Sequence, residues 1–270
     1  MLTFRRPYGT TYGSRGPGKG RFILGLIIAL IAILSYFMSA EDNPITGERQ
    51  YVSLSPHQEI AMGLQAAPHM ASQYGGLSTD TSKQQLVDKV GHQLVTSSVA
   101  RQTSWKYEFH VLADSQVLNA FALPGGQIFI TEGLLNKLSM EDEVAAVLSH
   151  EMVHVIARHG AQHMAKQQLA SGLSGAAVIA TGEYGAGEMA ALIGQMVNMK
   201  YGREDELESD MFGVRLMLES GYDPQAMISV MQILQQASQG NRQPEFFSTH
   251  PNPTNRIGRI KEAIAHYKDK

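Results

Sequence analysis

The sequence contains no cysteine and only one tryptophan among its 270 residues. Without cysteine the chain can form neither a disulfide framework nor a thiolate metal site, so a bound metal would need histidine, aspartate or glutamate ligands. Acidic residues are absent from residues 1–21, which hold five basic residues and several Gly and Pro. The lack of cysteine leaves the redox compartment open, whereas the one-sided charge sets the N-terminal region apart.

This basic region leads into an apolar run from Phe22 to Met38 that contains no charged residue. Its length is at the short end of the roughly 17 to 25 residues that span a bilayer. A cleaved signal peptide is the alternative, but Met38-Ser39-Ala40 matches a cleavage site poorly. We therefore predict a flexible cytoplasmic tail at 1–21, a transmembrane anchor at 22–38, a linker at 39–53, and an extracytoplasmic domain at 54–270.

The remainder of the chain is acidic and large enough for one folded domain. Removing the five positive charges of the tail from the net charge of −3 leaves −8. A folded part with this charge is not expected to bind nucleic acid, whereas the basic tail suits anionic membrane lipid. We expect a single domain with a sizeable core.

His150, Glu151 and His154 form a His-Glu-x-x-His motif. On a helix, residues four apart share a face, so the two imidazoles can converge on one tetrahedral Zn²⁺ with Glu151 beside the attacking water. The alternative is a pair of surface histidines beside a solvated glutamate.

Helix signals around the motif favour the metal interpretation. Ser139 is a candidate cap, acidic residues at 141–143 suit the positive end of the helix dipole, and Gly160 is a candidate stop. An apolar stripe formed by Val144, Leu148 and Val155 places the two histidines on the adjoining row. The pair is therefore expected to point into the protein.

A third ligand is expected in the acidic segment 203–210, although such a run is usually a solvated helix face. Helical phase places Glu206 and Asp210 on one row, next to the buried stripe, and turns Glu208 to the far side. Glu206 is then the candidate ligand, and Asp210 can accept a hydrogen bond from a ligand histidine and fix its tautomer. Gly213, on the same row, would let another backbone come close.

With these segments, the chain resembles the M48 or Ste24/HtpX-like membrane-associated zinc endopeptidases, and most closely their bacterial members with one N-terminal anchor. The likeness covers most of residues 105 to 260 and rests on the His150 motif, the Glu206-x-x-x-Asp210 element, Asn119 to Gly126, and Ser248 to Pro251 followed by Arg256. It extends to Asn43 to Gly47 and the following Gln58 and Glu59, which resemble the start of these bacterial members. The resemblance implies an α+β, mainly helical zincin-type domain with a small sheet, located on the periplasmic side of a bacterial inner membrane.

The resemblance also implies roles for individual residues. His150, His154 and Glu206 would bind one Zn²⁺ per chain, Glu151 would be the catalytic carboxylate, and Asp210 would support a ligand histidine. The substrate would pair with a strand that includes Asn119, Ala120, Phe121 and Ala122.

Other elements follow from local patterns. Ser55, Pro56 and Gln58 predict a capped helix, and Leu86, Val90 and Leu94 mark a second. Alternation from Trp105 to Val111 predicts a strand, and 117–123 and 127–131 flank a Pro-Gly-Gly turn, which predicts a hairpin. Helices are expected after Pro224 and after Thr254 or Asn255.

The segment from Lys166 to Met199 is rich in Ala, Gly and Ser, and Glu183 and Glu188 interrupt its apolar runs. We expect no second membrane span there. Because the segment separates two candidate ligands and clusters glycine at 182–187, we predict a mobile lid over the cleft.

His250 lies in a loop before a proline. It is a candidate for closing the open zinc position in a resting state or for binding the reacting carbonyl; simple anchoring of the loop is the alternative. His159 is interpreted as structural or exposed, and Arg256 as the partner of a carboxylate.

The expected function is hydrolysis of peptide bonds, with unfolded or damaged extracytoplasmic proteins as substrates. Two alternatives remain open at this point. One is a membrane-anchored, chaperone-like binding protein with a closed structural zinc site, and the other is a hydrolase with iron or manganese that acts on a non-peptide substrate. Adaptor proteins cannot be identified from these residues.

Overall fold

The computed structural model describes residues 19–181, 200–239, 244–251 and 255–268. The strands in these ranges are β1 (Ala40–Asp42), β2 (Arg49–Tyr51), β3 (Glu108–Leu112), β4 (Ala120–Leu123) and β5 (Gln127–Thr131). The helices are α1 (Lys19–Met38), α2 (Pro56–Gln73), α3 (Thr81–Ser97), α4 (Glu132–Leu135), α5 (Glu141–Ile156), α6 (His159–Thr181), α7 (Arg203–Glu219), α8 (Gln225–Ala237), α9 (Phe246–Thr249) and α10 (Arg256–Lys268). The predicted α+β, mainly helical class is confirmed.

The main sheet has the strand order β3-β5-β4, with β3 parallel and β4 antiparallel to β5. The predicted hairpin is therefore present, and its turn contains Gly125 and Gly126, whose positive φ angles suit glycine. The predicted first strand begins later than expected, at Glu108. Because β4 is at the edge of this sheet, one side of its backbone faces away from β5.

Helix α5 runs through the centre of the molecule, and every residue from Glu143 to Ile156 is buried. It packs against α7, α8 and α3. A helix covered on all sides needs no polar face, which explains why the predicted one-sided apolar stripe describes it only in part.

Both predicted ends of α5 need correction. Met140, rather than Ser139, occupies the N-cap position. The backbone N–H groups of Ser139 and Met140 donate to the Glu143 side chain at 2.6 and 3.3 Å, respectively. At the other end the helix stops at Ile156, and Arg158 adopts a left-handed φ of 56°. Gly160 is not the stop, because it already lies in α6.

Several local predictions are confirmed. The Ser55 and Gln58 side chains form the capping box of α2. The helix expected after Pro224 is α8, which begins at Gln225. The helix expected after Thr254 or Asn255 is α10, which begins at Arg256 and buries Ile260 and Ile264.

Residues 39–53, predicted to be a linker, are folded. Strands β1 and β2 form an antiparallel pair, and the buried Asn43 between them donates a hydrogen bond of 2.8 Å to the Ile156 carbonyl at the end of α5. The predicted lid lies outside the described residues over 182–199, whereas 166–181 continues as helix in α6.

In the described part of the chain, α1 is the one helix that is long and apolar enough to cross a membrane. It includes the predicted anchor at 22–38. Its large apolar side chains are mostly exposed.

Candidate metal centre

Four buried side chains bring one possible metal-binding atom each to within 4.8 Å of the others. They are His150 and His154 of α5, Glu206 of α7, and His250 directly after α9. The Nε2 atoms of His150 and His154 are 3.2 Å apart. Glu206 Oε2 lies 3.5 Å from the first and Glu206 Oε1 lies 3.5 Å from the second. The structure thus brings together the three candidate ligands and adds His250.

Close packing of α7 on α5 places Glu206 beside the two histidines. A Cβ atom on Gly213 would lie 2.8 Å from the Met227 methyl group, 3.4 Å from the Ser149 hydroxyl and 3.5 Å from the His150 backbone nitrogen. The predicted close approach at Gly213 is therefore present.

Asp210 holds the far side of the His150 ring. Its Oδ1 atom is 3.0 Å from His150 Nδ1, and Arg256, only 2% exposed, donates to both Asp210 oxygens at 2.6 and 2.8 Å. With Nδ1–H donating to the carboxylate, the lone pair of Nε2 is left facing the cluster. The predicted pairing of Arg256 with a carboxylate is present. Its partners are Asp210 and also Glu206, whose Oε2 lies 3.0 Å from Arg256 Nη1.

His154 is held by a relay that the sequence did not predict. Its Nδ1 is 2.8 Å from His159 Nδ1, and His159 Nε2 is 3.2 Å from Glu208 Oε2. Because Glu208 can only accept, His159 donates to it and accepts from His154, which leaves the His154 Nε2 lone pair facing the cluster. The prediction that Glu208 points to the far side is therefore wrong.

Tyr201 is a second residue that sequence reasoning missed. Its ring stacks on His154 with centroids 3.8 Å apart and an interplanar angle of 19°. Since it precedes α7 without a recognisable motif, its place beside a candidate ligand histidine follows only from the fold.

Burial and hydrogen bonding act on the pKa values of the cluster in different ways. Burial raises the pKa of Glu151 and lowers that of His154 well below its usual value, which favours the neutral imidazole. Burial also lowers the pKa of His150, but hydrogen bonds to Asp210 and Glu206 outweigh it and raise the pKa to about 9. The two carboxylates thus attract positive charge to this ring.

The donor set fits a divalent cation. Two Nε2 lone pairs that face each other at 3.2 Å repel unless a cation or proton lies between them. Neither Glu151 oxygen has a hydrogen-bond partner among the described residues, and neither does His250 Nε2. With neutral imidazoles and ionised carboxyl groups, the three negative charges of Glu151, Glu206 and Asp210 exceed the one positive charge of Arg256 by two.

A cavity of about 370 Å³ opens beside His250 and Tyr201, between α2 and β4. Met62 and Met70 contribute to one wall and Phe121 to the other. Of the four residues in the predicted substrate strand, Asn119, Phe121 and Ala122 line this cavity, whereas the Ala120 side chain is 0% exposed and belongs to the main core.

This arrangement defines the chain as a metal-dependent hydrolase of the His-Glu-x-x-His class. Residues 81–264 match the model described as Peptidase family M48, and the chain belongs to that family. It is therefore a metalloendopeptidase, as the resemblance in its sequence indicated.

Curated relatives agree with this membership. The chain is 31% identical to the mitochondrial metalloendopeptidase OMA1 of Schizosaccharomyces pombe, over 90% of this chain and 71% of that protein. It is 32% identical to the beta-barrel assembly-enhancing protease of Escherichia coli K12, over 81% of this chain and 46% of the relative. OMA1 of Saccharomyces cerevisiae is 35% identical, over 56% and 45% of the two chains. The chain thus spans less than half the length of the last two.

Proposed function

We propose that the protein is a membrane-anchored zinc endopeptidase that cleaves unfolded or damaged polypeptides on the periplasmic side of a bacterial inner membrane. The observation that carries this proposal is the convergence of the His150 and His154 Nε2 atoms on Glu206, beside an unpartnered Glu151 carboxylate. A cavity next to these residues offers room for a substrate.

His150, His154 and Glu206 are the proposed ligands of one zinc ion per chain. Two imidazoles and a carboxylate are a typical set for catalytic zinc. When bound, zinc would supply Lewis-acid activation of a water molecule and of the scissile carbonyl. Asp210 and the His159–Glu208 pair would keep the two ligand imidazoles in the tautomer that directs Nε2 inward.

Glu151 is the proposed general base and acid. Its carboxylate would accept a proton from the attacking water and then donate that proton to the leaving amine nitrogen. Burial, which raises the pKa of Glu151, favours retention of the proton between the two steps.

Strand β4 is proposed to bind the substrate backbone. It is the edge strand of the sheet, so an extended peptide can add to it through main-chain hydrogen bonds. Asn119 supports this role, because its Nδ2 donates to Tyr74 at 3.0 Å while its buried Oδ1 has no partner among the described residues. Phe121, which stacks on Phe129, serves the core as well as the cavity wall.

The proposed anchor is the apolar part of α1. Basic residues precede it, which favours a cytoplasmic N-terminus and an extracytoplasmic catalytic domain. Lipid around α1 and polypeptide substrates in the cleft are therefore the proposed partners.

The proposed activity is tested by digestion of casein with the full-length protein in detergent. We expect cleavage by the zinc-loaded protein and a loss of at least 100-fold in Glu151→Gln, which should still bind zinc because the three ligands remain. A chelated sample should be inactive and should recover with zinc. Substantial cleavage by Glu151→Gln would reject the role of Glu151. Absence of cleavage by folded, zinc-loaded protein, both as the wild type and as His250→Ala, would reject the endopeptidase proposal.

His250 is proposed to close the metal centre in a resting state. Its Nδ1 lies 3.0 Å from Glu206 Oε1 and its Nε2 3.5 Å from Glu151 Oε1, so it occupies space that a substrate would need. We expect His250→Ala to raise the casein cleavage rate several-fold, with His69→Ala, which borders the same cavity, as the control. A lower rate would instead assign His250 to the reacting carbonyl, and an unchanged rate would reject both roles.

A further inference from the structure

Helix α6, which follows the metal-binding helix, lies antiparallel to α1. A Cβ on Gly172 would come within 2.8 Å of the Ala32 Cβ. Nearer the catalytic domain, Ser35, Tyr36 and Ser39 of the α1 end enclose a cavity of about 90 Å³ together with Ala165, Gln168 and Leu169 of α6. No other pair of described elements has a more extensive contact.

The register of the two helices follows from these contacts. Each helix rises about 1.5 Å per residue, so each step from Gly172 toward Thr181 is matched by a step from Ala32 toward the N-terminus. Thr181 then lies level with Ile23, at the start of the apolar run. The C-terminal part of α6 thus extends alongside nearly the whole predicted anchor.

The charges on α6 stop where the apolar run of α1 stops. Lys166 lies level with Met38 in this register, and no charged residue occurs from Gln167 to Thr181. Small residues on α6 allow close contact with α1, as is common between helices in membranes. The Leu173 side chain of α6 is 38% exposed.

We propose that residues 167–181 of α6 lie within the lipid bilayer beside α1, so that two antiparallel helices enter the membrane. For these residues the proposal replaces the expectation, drawn from the sequence, of no second membrane span after Lys166. This inference rests on the proposed anchor, because α1 cannot span a bilayer in this packing while α6 stays in water. The hydropathy of α6 alone does not indicate a membrane segment, since its apolar residues are mixed with Ser, Gly and Gln.

The position of the metal centre follows. His159, at the start of α6, contacts the proposed ligand His154, and Gln167 lies eight residues further, about 12 Å along the helix axis. The scissile bond would therefore be held within one to three helical turns of the membrane surface. Polypeptide segments that emerge from the bilayer are the substrate class that this geometry favours.

The absence of native cysteine permits a direct test in membranes that contain the full-length protein. Leu173→Cys on α6 should react with a water-soluble maleimide at least tenfold more slowly than Lys89→Cys, an exposed position of the catalytic domain. Leu30→Cys on α1 should be protected to the same extent, and detergent denaturation should make all three variants reactive.

Oxidative cross-linking tests the pairing of the helices. The Ala32→Cys/Gly172→Cys variant should form a disulfide in the membrane, and Leu30→Cys/Gly172→Cys should not. If the tight contact at Gly172 prevents folding, Ser35→Cys/Gln168→Cys at the shared cavity replaces it.

Each outcome separates the lipid proposal from the proposed function. Rapid labelling at Leu173→Cys with protection at Leu30→Cys would overturn the insertion of α6 and leave the anchor intact. Rapid labelling at both positions would overturn both membrane assignments, while casein cleavage would still report on the peptidase activity. Absence of a disulfide in both Ala32→Cys/Gly172→Cys and Ser35→Cys/Gln168→Cys would overturn the pairing of α1 with α6.

Discussion

At the residue scale, the metal centre depends on polar groups that hold the imidazoles from behind. Asp210 contacts His150 and accepts two hydrogen bonds from Arg256, and Glu208 acts on His154 through His159. Each carboxylate directs one Nε2 lone pair toward Glu206. The direction of these lone pairs is therefore set by residues that need not touch the metal.

Asp210→Asn is expected to weaken zinc binding by 10- to 100-fold, because the amide can present a donor to His150 and release the ring from its tautomer. The measurement is competition with a zinc chelator, together with a thermal unfolding curve to show that the variant is folded. Glu204→Gln, on the exposed side of the same helix, is the control and should bind zinc like the wild type. Equal affinity in Asp210→Asn would reject the supporting role.

How far these residues could be predicted depends on whether one helix contains them. A helix fixes which side chains share a face, so the sequence alone predicts that Glu206 and Asp210 lie on one row. His159 escaped that reasoning, since the left-handed backbone at Arg158 starts a new helix and turns the His159 ring back toward His154. The same break explains the error for Glu208, whose partner comes from another helix.

At the element scale, the distance between α5 and α7 is critical. Gly213→Val is expected to lower the free energy of unfolding by about 1 to 3 kcal/mol, because its branched side chain meets the Ser149 hydroxyl and the His150 backbone as well as Met227. Gly213→Ala should cost less, since the Met227 methyl group can move and alanine favours the helix. Chemical denaturation measures both, and equal stability of the two variants would contradict this packing argument.

The elements themselves were predictable to different degrees. The α2 cap and the Pro-Gly-Gly hairpin rest on short-range hydrogen bonds and backbone angles, so local sequence contains them. The position of α6 cannot be predicted from local sequence, because a helix of small residues packs equally well in the interior of a soluble domain or against a helix in a membrane. Only the contact with α1 distinguishes these environments.

At the scale of the whole molecule, Arg158 joins the segment between α1 and α2 to the end of α5. Its guanidinium donates to Glu59 of α2 and to the Leu54 carbonyl, each at 2.5 Å, and contacts Glu41 of β1. Burial nevertheless raises the pKa of Glu59 to about 6, because it outweighs the opposite effect of Arg158.

This raised pKa predicts a pH dependence of stability. Between the usual value of 4.5 and about 6, the folded state binds more protons at Glu59 than the unfolded state does. The free energy of unfolding should therefore fall as pH rises through this window, by about 2 kcal/mol from this residue alone. In Glu59→Gln this contribution is absent. In urea titrations from pH 4 to 7, the free energy of unfolding of the variant should therefore rise relative to that of the wild type as the pH increases. A difference that does not change with pH would contradict the raised pKa.

The β1–β2 pair and Asn43 give this junction a further consequence. Asn43 binds the last turn of α5, and Glu41 contacts the arginine that follows it. Proteolytic cleavage between Asn43 and the start of α2 would separate both contacts, together with α1, from the rest of the chain. Such cleavage would then also loosen the C-terminal end of the helix that carries His150 and His154, so the released domain would be less stable than the intact protein.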